Sequence, residues 1–360
     1  GKRAHSANPA APSADSGTKG DFAAKSHPSA GKKRRRPQRS TAAPSAAGAS
    51  LELPSYSARL DLADRKWYEA EVPPLKHAAG GSGAPPEVLK ARLEQVDRVV
   101  REYVERCERE EDSDASWLRG MMSQGTVSDR VAAMTLFFQQ SPLARLRVLD
   151  TLVGMACKKG RREAQLAQEA VKDLWLSDLL PDRKLRFFAQ QPLASPGVRA
   201  AHLLVWWFED QLKQRFLAFV QALERGSHDS MPYFKLASLR MCWELLAAKP
   251  EQEQALLAVV VNKLGDRERK VASKAAFLLQ QLLEQHAAMA IVVVREIEQL
   301  LARPNLSERA QYYAVTFLNQ VSLSHADAEL AARLLALYLA HFERRAGGAA
   351  AEPGAEAGPG

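Results

Sequence analysis

Leu264-Gly265-Asp266-Arg267-Glu268-Arg269-Lys270-Val271-Ala272-Ser273-Lys274-Ala275 decides the fold, because it opens an amphipathic helix shaped to lie against other helices. Asp266 is placed to cap the free N–H groups of a first turn. Val271 and Ala275, four residues apart, share one face and are small enough for a neighbouring helix to come close.

Working outward, apolar residues recur at spacings of three and four from about Thr126 to Phe342, with no persistent two-residue alternation. Pro142, Gly160, Pro181, Pro192, Pro196, Gly226, Pro232, Pro250, Gly265 and Pro304 break the pattern at short intervals. Helix starts expected near Pro250, Arg267, Met289 and Ser307 repeat pairwise after about 40 residues, close to the period of HEAT and armadillo repeats. The quoted stretch itself resembles the opening of the second helix of a HEAT repeat. The expected fold is therefore all-α: a HEAT/armadillo-like helical-repeat solenoid with a disordered N-terminal leader and C-terminal tail. Its expected segments are 1–50 (leader), 51–86 (a short ordered piece around Trp67 and Tyr68, then a linker), 87–125 (a helix and acidic linker), 126–343 (helical repeats) and 344–360 (tail).

The formal charge of +8 is a property of the leader alone. Residues 1–50 carry ten bases against Asp15 and Asp21, and the remainder has as many bases as acids. RNA contact by the folded part must then come from local patches. Within the leader, Lys32, Lys33, Arg34, Arg35 and Arg36 form a compact basic cluster that suits nuclear import. Cys107, Cys157 and Cys242 have neither disulfide-framework nor zinc-ligand spacing, which fits a reducing compartment. No apolar run reaches the roughly 20 residues that span a bilayer, so a soluble intracellular chain without a membrane partner is expected.

No catalytic pattern emerges, and the chain reads as a non-enzyme with no cofactor, metal or small-molecule substrate. Ser227-His228-Asp229 has triad residue types, but sequence neighbours do not converge as nucleophile, base and orienter. A polar helix junction is expected there instead, with Pro232 in the first turn of the next helix. Glu209-Asp210 reads as exposed helix surface. The candidate RNA-binding bases are Lys158, Lys159, Arg161 and Arg162, together with Arg183, Lys184 and Arg186 beside Phe187 and Phe188, since cations next to aromatic rings suit phosphate contact and base stacking. On the helix expected from Val198 to Arg225, Val205, Phe208, Leu212, Phe216, Phe219 and Leu223 form a core stripe, whereas Leu203, Trp206, Trp207 and Leu217 fall elsewhere. A second cover is required: the next repeat, or a partner anchored on Trp206 and Trp207.

Several phrases in colinear order carry a more specific likeness: KKGRREA (158–164), KDLWLSDLLPDRKL (172–185), GSHD (226–229), NKLGD (262–266), RKVASKA (269–275), VRE (294–296) and RAQYYAV (309–315). Together they resemble the nucleolar complex protein 1 family, also called CCAAT/enhancer-binding protein zeta. The resemblance implies a HEAT-like nucleolar and nuclear assembly factor for the large ribosomal subunit. Implied partners are pre-ribosomal RNA, a nucleolar complex protein 2-like protein and other pre-ribosomal assembly factors. The alternative, suggested by the family's second name, is a transcription cofactor at CCAAT-type promoters, although no basic zipper, zinc finger or helix-turn-helix is visible. Family members continue well beyond this region, whereas this chain ends in a Gly/Ala/Pro-rich tail.

Overall fold

In the computed structural model, residues 66–70, 72, 74–75, 84–111, 113–325 and 327–349 are described, all within one unit spanning 50–360. The Lys32–Arg36 cluster and the residues after 349 lie outside them. The helices are α1 (Pro86–Arg109), α2 (Ser113–Gln124), α3 (Val127–Gln140), α4 (Leu146–Ala156), α5 (Arg161–Leu174), α6 (Ala200–Ser227), α7 (Pro232–Ala248), α8 (Glu253–Asn262), α9 (Arg269–Gln285), α10 (Ala290–Leu301), α11 (Glu308–Leu318) and α12 (Ala328–Ala349). No strand occurs among the described residues.

Local chemistry sets the boundaries. Thr126 caps α3 by accepting from the Asp129 N–H, and the Asp129 carboxylate accepts from Thr126 N–H in return. Pro232 occupies the first position of α7, where its missing N–H costs nothing. Ser307 accepts from Ala310 N–H to start α11. Gln252, at φ 55°, is the one left-handed non-glycine residue described, and α8 begins directly after it.

The helices pack in two rows. Helices α3, α5, α7, α9 and α11 lie each against the next in one row, α4, α6, α8, α10 and α12 in the other, and the pairs α3–α4, α4–α5, α6–α7, α7–α8, α8–α9 and α10–α11 join the rows. One apolar core runs between the rows from Leu149 and Trp175 through Phe208 and Phe216 to Leu279, Ile297 and Phe317, all buried. This stacking, in which each pair touches mainly its neighbours, is how helical repeats build an extended core.

The structure departs from the sequence reading in three places. Residues 113–124, expected as linker, form α2, which buries Ala115 and Leu118 against Ala133 and Phe137. Helix α12 continues to Ala349, past the expected end at 343, and leaves Leu335, Leu339 and Phe342 exposed. The second cover of α6 is neither a following repeat nor open surface: α1 packs on it, and Leu203 is buried with Val96, Leu193 and Val198. The core stripe of α6 is as expected, with Phe208, Leu212, Phe216, Phe219 and Leu223 fully buried and Val205 packed beside them, whereas Leu217 is exposed.

Candidate functional site

The row α5–α7–α9–α11 brings four of the sequence phrases together along one edge. At the start of α5, Arg161 Nε donates to Asp229 Oδ1 at 2.8 Å and its terminal nitrogen to Ser230 Oγ at 3.0 Å, tying KKGRREA to GSHD. His228 Nδ1 lies 3.3 Å from Lys263 Nζ, which joins GSHD to NKLGD. Lys263 is buried, with Asp266 at 3.7 Å, and Asp266 also accepts from Lys235 at 3.1 Å and from Glu268 N–H at 2.9 Å. Gly265 then meets Ala310, and Arg309 donates to the Arg267 carbonyl at 3.2 Å, connecting NKLGD to RAQYYAV.

Electrostatics follow from this packing. Burial pushes the Lys263 ammonium below its ordinary pKa, and Asp266 opposes that. Lost hydration on its packed side, then the Lys263 charge, lowers the His228 pKa below 6.5. Ser227, His228 and Asp229 have separate partners: Ser227 Oγ donates to Glu224 O, His228 faces Lys263, and Asp229 accepts from Met231 N–H as well as Arg161. They form a polar joint rather than a relay.

The candidate RNA-binding bases divide by pairing. Lys158 is bound to Glu163 at 2.8 Å, Arg161 to Asp229, Arg183 to Glu209 and Lys184 to Glu253 at 2.9 Å. Lys159, Arg162 and Arg186 are exposed and have no carboxylate partner among the described residues. Phe188 is buried, and the half-exposed Phe187 ring lies 5.1 Å from Lys213 Nζ.

Trp206 and Trp207 are half-buried and pack into the small cluster under α1, with His202 5.4 Å from the Trp206 ring. Replacing both with alanine is expected to lower stability by about 2 kcal/mol, well below the value for two fully buried rings. Faster amide exchange along α1 should accompany that loss. Unchanged melting and exchange would mean that the pair does not hold α1.

The acids of 181–210 have roles that composition concealed. Glu209 is buried, not exposed, and accepts from Arg183, from Arg186 N–H at 3.0 Å and from Gln191 Nε2 at 2.9 Å. Asp210 accepts from Phe188 N–H at 3.0 Å, and buried Glu251 from Leu185 N–H at 2.6 Å. These carboxylates clamp an extended strap that no periodicity marks. Trp67 is a further anchor, donating to Leu179 O at 2.9 Å with its ring on edge to Phe208 at 5.6 Å.

Among the described residues no group of three or more His, Cys, Asp or Glu side chains could hold a metal, and no helix is long and apolar enough to cross a membrane.

Fold and edge together define an all-helical protein built by stacking helix pairs and knitting their loops along one side. No family model matches the chain. It is 39% identical to human CCAAT/enhancer-binding protein zeta over 77% of this chain and 27% of that protein. Against the ribosome biogenesis protein NOC1 of Chaetomium thermophilum it is 39% identical over 64% of this chain and 24% of that protein. For nucleolar complex protein 1 of Drosophila melanogaster the figures are 36%, 59% and 19%. Over most of its length the chain is similar to proteins of the nucleolar complex protein 1/CCAAT/enhancer-binding protein zeta family, and it spans about a quarter of the length of the curated relatives it matches.

Proposed function

We propose that this chain acts in the nucleolus as an assembly factor for the large ribosomal subunit, holding pre-ribosomal RNA and partner proteins in register on a HEAT-like helical surface. The observation that carries this reading is the match to relatives named as a ribosome biogenesis protein and a nucleolar complex protein. The loop edge supports it. Buried ion pairs and close contacts stiffen that side of the stack, which suits a part that positions others. A nucleolar complex protein 2-like protein is the proposed partner, and Lys32–Arg36 the proposed import signal.

Sedimentation tests the reading directly. The tagged chain should travel with large-subunit precursor particles in a nucleolar gradient and crosslink to their RNA. The K159E/R162E variant reverses two unpaired bases and is expected to bind precursor RNA several-fold more weakly, with little dependence on sequence. Sedimentation only with free protein would overturn the assembly role. The name of the human relative favours a second reading, a transcription cofactor at CCAAT-type promoters; sequence-specific protection of such a duplex by the chain would support it instead.

A further inference from the structure

The starts of α9 and α11 carry an excess of positive charge. Residues 267–277 and 308–313 carry five bases, Arg267, Arg269, Lys270, Lys274 and Arg309, against Glu268 and Glu308, and Glu308 is already bonded to Arg345 at 3.3 Å. None of the five is paired with a carboxylate among the described residues, in contrast to Lys158, Arg161, Arg183 and Lys184. Arg269 and Lys270 open α9 with no acid in the first turn, so their charges sit against the positive end of the helix dipole. A local rule broken without a compensating contact marks a functional surface more often than a structural one.

Aromatic rings lie among these cations. Tyr312 is 67% exposed and Phe277 48% exposed. Lys274 Nζ lies 4.5 Å from the Phe277 ring centre and the Arg309 guanidinium 5.8 Å from that of Tyr313. The Tyr313 hydroxyl has its pKa lowered chiefly by a hydrogen bond from Arg309, with smaller contributions from Ser273 and Arg269, so side chains of the two helices converge there.

We propose that Arg269, Lys270, Lys274 and Arg309, with Phe277 and Tyr312, form a binding surface for single-stranded RNA, the cations holding phosphates and the two exposed rings stacking bases. Unpaired cations answer the charge of the backbone, and open aromatic faces suit unstacked bases, which a duplex does not present. The exposed rings favour RNA over an acidic protein segment, which needs only the charge. The choice of RNA rests on the assembly role proposed above.

Anisotropy of the full chain with labelled oligouridylate across a salt series tests this surface, with duplex RNA of equal length and polyglutamate as comparators. R269E/K270E/R309E is expected to weaken oligouridylate binding at least tenfold near physiological salt. The slope of log affinity against log salt should become shallower by about 2, because each single-strand phosphate contact contributes roughly 0.7. F277A/Y312A should weaken oligouridylate several-fold at an unchanged slope and leave duplex binding alone. Circular dichroism checks that both variants fold. Unchanged affinity in the folded charge-reversal variant overturns the proposal. So does a neutral F277A/Y312A variant whose RNA is displaced by polyglutamate at equal charge, which would make the face an acidic-protein dock. If the chain sediments with precursors while this surface proves inert, the assembly role stands without it; if the surface binds as described but the chain never joins precursors, the assembly role fails and the surface stands.

Discussion

Glu251→Ala is expected to destabilise the protein by about 3–5 kcal/mol, the range for removing one partner of a buried ion pair. The carboxylate is 2% exposed and does two things. It accepts from Leu185 N–H at 2.6 Å and from Lys213 Nζ at 2.8 Å, while Lys213 also donates to the Leu185 carbonyl at 2.9 Å. Alanine would leave a buried N–H without an acceptor and a mostly buried ammonium without its counter-charge. Glu251→Gln keeps an acceptor for the N–H and should cost less, about 1–3 kcal/mol for the lost charge-assisted bond. The alanine variant should also free the strap, so amide exchange at 183–191 should rise ahead of that in the core helices. Chemical denaturation with mapped exchange checks both statements. A glutamine variant as stable as the parent would show that the charge contributes nothing there, and equal loss in the two variants would show that a neutral acceptor cannot replace it.

The helices were legible because their signal is local. The stripe on α6, Pro at the start of α7 and Ser307 before α11 each lie within a few residues of the structure they specify. Observed starts of α8, α9, α10 and α11 fall within about three residues of those read from the breaks and caps. Helix α2 was missed because its buried face is only Ala115 and Leu118, too short a stripe to stand out beside Gly120 and an acidic stretch. The cover on α6 could not be read either, since α1 lies about a hundred residues upstream and nothing in a helical period names its distant partner.

The same division holds for function. The family likeness was visible as phrases, but not that four of them meet in space, where Arg161, Asp229, His228, Lys263 and Arg309 lie along one edge. Counting charge pointed to Lys158–Arg162 and Arg183–Arg186, because runs of bases are conspicuous. Pairing is a long-range property, and it neutralises Arg183 through an acid 26 residues away and Arg161 through one 68 residues away. The α9 bases lie in a stretch whose conspicuous feature is its apolar face, and only the absence of carboxylate partners among the described residues sets them apart.

Gly226→Val is expected to be the most damaging change on the loop edge, costing more than about 3 kcal/mol, and Gly226→Ala about 1–3 kcal/mol by overpacking. Gly226 is helical, so propensity alone would make alanine stabilising by about 1 kcal/mol. Contact with α7 reverses that sign. A Cβ on Gly226 would fall on Ser238 Oγ and lie 3.2 Å from Phe234 Cε1 and 3.3 Å from Ser238 Cβ. Ser238 is itself fully buried, and its hydroxyl has no hydrogen-bond partner among the described residues. Ser238→Ala should therefore be neutral or mildly stabilising on its own, since it removes an unsatisfied polar group. Combined with Gly226→Ala it should recover part of the loss, because the worst overlap goes while the Cβ and Phe234 contacts remain. A double-mutant cycle read by thermal and urea unfolding measures that coupling, expected at about 1 kcal/mol for residues in direct contact. Strict additivity would mean that α6 and α7 can separate at this point without cost. Since His228 and Asp229 lie two and three residues after Gly226 and reach Lys263 and Arg161, that result would also remove close helix packing as the reason the edge is rigid.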